Sequence, residues 1–87
     1  MDISRKELGQ KLFTAVVERC GGYGTYVFHT LDSSNPRYVE IKVERRFDSV
    51  LDSNYELTKM NDEQLASLLE FVQDETTHPQ IIRKTLF

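Results

Sequence analysis

The sequence predicts an α+β fold, α-β-β-β-α, with two helices packed on one face of a small antiparallel sheet and a short apolar C-terminal element. Three observations predict it. Residues 4–20 repeat apolar side chains at helical spacing, residues 38–45 alternate between apolar and charged, and from residue 61 the spacing is helical again.

The first helix is expected from about 4 to 20. Ser4 and Glu7 have capping-box spacing, with Ile3 and Leu8 at the staple positions on either side. Leu8, Leu12, Phe13, Val16, Val17 and Cys20 then form an apolar stripe one helical face wide. Gly21 and Gly22 end it, because glycine adopts the left-handed C′ conformation without steric cost.

Residues 25–31 (TYVFHTL) are dense in β-branched and aromatic side chains and too short for another helix. A cluster of turn formers over 32–36 precedes the alternating run, in which Val39, Ile41 and Val43 face one way and Glu40, Lys42 and Glu44 the other. These two runs make a hairpin. A third strand is expected over Tyr55–Lys59, turned by Asp52, Ser53 and Asn54. The second helix starts at Asn61 as N-cap, with Gln64 three residues on and a staple from Met60 and Leu65. Leu65, Leu68, Leu69 and Val72 form its buried stripe, with Phe71 beside it. Pro79 opens a tail containing Ile81, Ile82, Leu86 and Phe87, too apolar to hang free; it is read as a last strand or a short helix.

All 87 residues form a single domain, 1–87, with 39% apolar and 29% charged residues, enough for one core and an ordinary soluble surface. No apolar run reaches membrane-spanning length and no signal peptide is evident. Cys20 alone makes no internal disulfide and is read as a small core hydrophobe. The expected location is the cytoplasm.

Charge divides the chain. Residues 47–75 hold eight acids against Lys59 alone, whereas the remaining residues carry ten bases and six acids. Such polarity steers association with charged partners. The expected docking face is acidic and consists of Glu56, Asp62, Glu63, Glu70, Asp74 and Glu75, on the third strand and second helix, facing a basic surface of another protein. Asp74 and Glu75 sit where the helix dipole disfavours negative charge, and no lysine or arginine occurs between Met60 and Ile82 to offset them.

Catalysis is not expected. Paired-carboxylate chemistry needs a cleft that separates two pKa values, and these acids fall at solvent-facing positions. His29 and His78 have no HxxH, HExxH or CxxC companion, so no metal and no cofactor are expected. The glycines at 21, 22 and 24 follow a helix and precede a strand, the reverse of a phosphate loop. The strongest alternative is nucleic-acid binding through the hairpin, with Tyr26, Phe28 and Tyr38 stacking bases and Arg37, Lys42, Arg45 and Arg46 meeting phosphates. Another alternative makes the acidic face a nucleic-acid mimic that blocks a nucleic-acid-binding enzyme. Homodimerisation through an open sheet edge or the apolar tail is also expected to be possible.

The element order resembles that of double-stranded-RNA-binding domains. Those domains place lysines at the start of the second helix to meet phosphates. Here that position reads Asn61-Asp62-Glu63-Gln64, so the resemblance does not imply RNA binding. The resulting reading is a small non-catalytic interaction module, a regulator or inhibitor of a larger protein.

Overall fold

A computed structural model describes residues 4–30 and 37–84, with side chains as far as Ile82. The chain forms α1 (Arg5–Cys20), β1 (Gly24–Thr30), β2 (Tyr38–Val43), a 3-10 turn (Val50–Asp52), α2 (Tyr55–Thr58), α3 (Asp62–Gln73) and β3 (Thr77–Lys84). The three strands are antiparallel in the order β2-β1-β3, so the first strand is central. The expected turn over 32–36, together with Ile3, Leu31, Leu86 and Phe87, lies outside the described residues.

The helix signals act as the sequence indicates. The Ser4 hydroxyl accepts from the Glu7 N–H at 3.2 Å, and Gly21 ends α1 at φ 74°, with its N–H on the Val17 carbonyl. At α3 the capping box closes in both directions: the Gln64 N–H donates to Asn61 Oδ1 at 2.8 Å, and the Asn61 N–H donates to Gln64 Oε1 at 2.9 Å.

Both long helices and one face of the sheet share a core. It joins Leu8, Leu12 and Val16 of α1 to Tyr26, Phe28, Ile41 and Val43 of the sheet, and to Leu65, Leu68 and Val72 of α3. The β2 alternation is as expected, with Ile41 and Val43 buried and Glu40 and Lys42 exposed. Among the described residues no helix packs on the opposite face of the sheet, which contains Thr25, Val27, His29, Tyr38, Glu40 and Lys42; Val27 at its centre is nonetheless buried, whereas Tyr38, Glu40 and Lys42 are exposed.

The third strand comes from elsewhere in the chain than expected. Residues 55–58 form a single helical turn in which only Leu57 is buried, while Tyr55 is 73% exposed. The reason lies at Asn54. Its Oδ1 accepts from the Lys42 N–H at 3.0 Å and its Nδ2 donates to the carbonyls of Lys42 and Val50 at 2.9 and 3.0 Å. One side chain thus takes the hydrogen-bonding place a strand beside β2 would need, and the backbone turns away. The strand that completes the sheet is the C-terminal run, which pairs with the free side of β1. Because this strand follows α3 instead of preceding it, the order departs from that of double-stranded-RNA-binding domains.

Candidate functional site

Successive α-helical residues are rotated by about 100°. On α3 this sets Glu63, Ser67 and Glu70 on the side opposite Leu65, Leu68 and Val72, with Asp74 continuing the line just past the helix end. All four are exposed. Asp62 lies roughly a quarter-turn away, toward α1. The groove between α1 and α3 beside this stripe is lined by Glu7, Lys11, Thr14, Glu18, Leu69 and Gln73, which bring no histidine or cysteine to the acids.

Two arginines of α1 hold the ends of α3. Near its start, Arg5 donates to the Thr58 carbonyl at 2.6 Å and pairs with Asp62 at 3.3 Å. At its end, Arg19 donates from Nη1 to the carbonyls of Val72, at 2.6 Å, and Asp74, and from Nη2 to that of Thr77. The helices therefore run in the same direction, tied at both ends. Arg19 supplies the cation that the sequence from Met60 to Ile82 lacks, so the unfavourable acids at the end of α3 are compensated from 53 or more residues away. Asp74 is also held locally. Its Oδ1 accepts from both Thr76 N–H and Thr76 Oγ1 at 2.8 Å, which, with a smaller contribution from Arg19, keeps its carboxyl below the ordinary aspartate value.

The six acids expected to share a face are consequently divided. Glu63, Glu70 and Asp74 line up, Asp62 is paired with Arg5, and Glu75 follows the helix end. Glu56 sits on α2, not on a strand; it lies 3.7 Å from Lys59 and beside the β2 edge with Glu40 and Lys42. Arg37 lies over the Phe71 ring at 4.6 Å and lines a surface hollow with Glu63 and Ser67, so one cation borders the stripe.

The hairpin residues separate just as sharply. Tyr26 and Phe28 are 1% and 0% exposed, in the core, so neither offers a ring face to a base. Their alternation with Val27 and His29 was readable; which face the helices cover was not. The Tyr26 phenol donates to the Gly22 carbonyl at 3.0 Å, and burial pushes its pKa up. Tyr38, 69% exposed, and Lys42 are on the open face, but Lys42 pairs with Glu44 at 2.8 Å. Glu44 also accepts from Arg46 at 2.8 Å, and the two cations, Lys42 foremost, keep its carboxyl low. Arg46 lies over the Phe47 ring and Arg45 over that of Tyr23. The structure does not bring these basic and aromatic groups together on one surface.

Each sheet edge has part of its outward backbone already taken. Asn54 occupies β2 at Lys42, where Ser53 Oγ adds a bond to the Lys42 carbonyl at 2.9 Å. On β3 the Thr77 N–H donates to Asp74 O at 3.0 Å and the Thr77 carbonyl accepts from Arg19. By antiparallel alternation, Pro79 then faces outward and has no N–H to offer. Ile81 and Ile82 remain more than half exposed beyond it.

Among the described residues, no group of three or more histidines, cysteines or carboxylates is placed to hold a metal ion, and no helix is long and apolar enough to cross a membrane. Cys20 is half-buried, and burial pushes its thiol up to about 11, opposed by Arg19. The sequence matches no protein-family model, no curated protein and no solved structure.

Proposed function

We propose that this protein is a small cytoplasmic binding module with no chemistry of its own, acting as a regulator or inhibitor by docking the outer face of α3 onto a basic surface of another protein. The observation that carries this reading is the stripe of Glu63, Ser67, Glu70 and Asp74 opposite the core. A helix tied at both ends by Arg5 and Arg19 presents its charges in a fixed geometry, which lowers the ordering cost of binding. Complementary charge would raise the association rate and select against acidic partners. Glu56, on α2 at the β2 edge, falls outside this surface.

The test is capture from nuclease-treated native lysate with the wild-type chain beside Glu63→Lys/Glu70→Lys. The expected result is a stoichiometric protein retained by the first and lost by the second, with unchanged melting of the bait. Equal retention by both would remove α3 as the docking surface.

A further inference from the structure

We infer that His29 and His78 form a two-imidazole site for a divalent transition-metal ion, bridging β1 and β3 on the open face of the sheet. The two residues are direct partners in the β1–β3 register, and the same row continues across the sheet to Tyr38. Directly opposed side chains on antiparallel strands have Cβ atoms about 4.5–5.5 Å apart. Zinc–imidazole bonds are about 2.0–2.1 Å long, so two ring nitrogens on one ion lie about 3 Å apart, a spacing opposed histidines reach by side-chain rotation.

The backbone holds both ligands in place before an ion arrives. His29 is half-buried on the central strand, hydrogen-bonded to neighbours on both sides. His78 is exposed on the edge strand, between Thr77, whose N–H and carbonyl are taken by Asp74 and Arg19, and Pro79, which keeps the preceding residue extended. With the backbone already fixed, binding has only the two side chains left to order.

Imidazole donors select nickel, copper and zinc over magnesium and calcium. No third histidine, cysteine or carboxylate among the described residues completes the set, so water fills the remaining positions and the ion is exchangeable. One row along the sheet, Glu40 and Gln80 flank Val27 in the register and offer oxygen acceptors toward those waters. The site lies on the other side of the sheet from the helices and stands independently of the α3 reading.

The experiment titrates the untagged full chain with nickel and zinc, following both imidazole NMR signals and the melting temperature. Both rings are expected to respond at the same metal concentration, with a rise in melting temperature, and magnesium is expected to change neither. His29→Asn or His78→Asn should each weaken binding at least about tenfold, because the second ligand no longer acts intramolecularly. Cys20→Ser should leave affinity unchanged. A response confined to one ring, or single variants that bind as tightly as the wild type, would overturn the site. The ring signals of the wild-type chain decide the matter even if a variant folds poorly.

Discussion

Replacing Arg19 with methionine removes the guanidinium that joins the end of α1 to the end of α3 while keeping much of the aliphatic stem. Three carbonyls lose a charged donor: Val72 and Thr77, both part-buried, and the exposed Asp74. The Asp74 carbonyl is rehydrated at little cost. The two part-buried bonds are worth about 1–1.5 kcal/mol each, the roughly 1.5–3 kcal/mol of a charged hydrogen bond reduced for partial exposure to water. Loss of a cation at the helix C-terminus adds about 0.3–1 kcal/mol. The expected destabilisation is therefore about 2–4 kcal/mol, a large part of the roughly 5–15 kcal/mol available to a domain. Urea unfolding followed by far-UV circular dichroism measures it, and at about 4–8 °C per kcal/mol the melting temperature should fall by at least about 8 °C. Arg19→Lys should lie between, since an ammonium group cannot span three acceptors from one position. A loss below about 0.5 kcal/mol for the methionine variant would refute the claim that this residue caps α3.

Three other perturbations have defined outcomes. Gly9→Ala puts a Cβ 2.2 Å from Ser49 Oγ and 2.9 Å from the Leu51 side chain, so a gain of about 1 kcal/mol in helix propensity is outweighed by overpacking of about 1–3 kcal/mol; unfolding should show net destabilisation. Asn54→Asp keeps the acceptor for the Lys42 N–H, and Ser53 Oγ still serves the Lys42 carbonyl, but the donor to the carbonyls of Lys42 and Val50 is lost, costing about 1–3 kcal/mol; urea unfolding should show lower stability with no concentration-dependent association. Asp74 titrates below its unfolded value, so its contribution is present at neutral pH and disappears as pH falls through that lower folded value; acid unfolding of Asp74→Asn should show a shallower pH dependence there.

The elements governed by local chemistry were legible in the sequence. Both long helices carry their own caps and periodicity, and the β2 alternation states which side chains turn inward. What was not legible depended on long-range partners. Tyr55–Thr58 alternates weakly enough to pass for a strand until Asn54, twelve residues from Lys42, takes the edge of β2. Arg19 stands 53 residues from Val72, so the missing cation of α3 was invisible along the chain. Tyr26 and Phe28 share one face of β1 and Val27 lies on the other, and helix placement decides which face joins the main core. The His29–His78 pair needed the β3 register, which no local pattern encodes.

The most direct measurement of the α3 reading is the footprint of the captured protein on the 15N-labelled chain, mapped by amide chemical-shift perturbation. Docking through α3 predicts perturbations centred on Glu63, Ser67 and Glu70, with Thr25, His29 and Tyr38 on the opposite face unchanged. A footprint confined to that sheet face, with α3 silent, would contradict it.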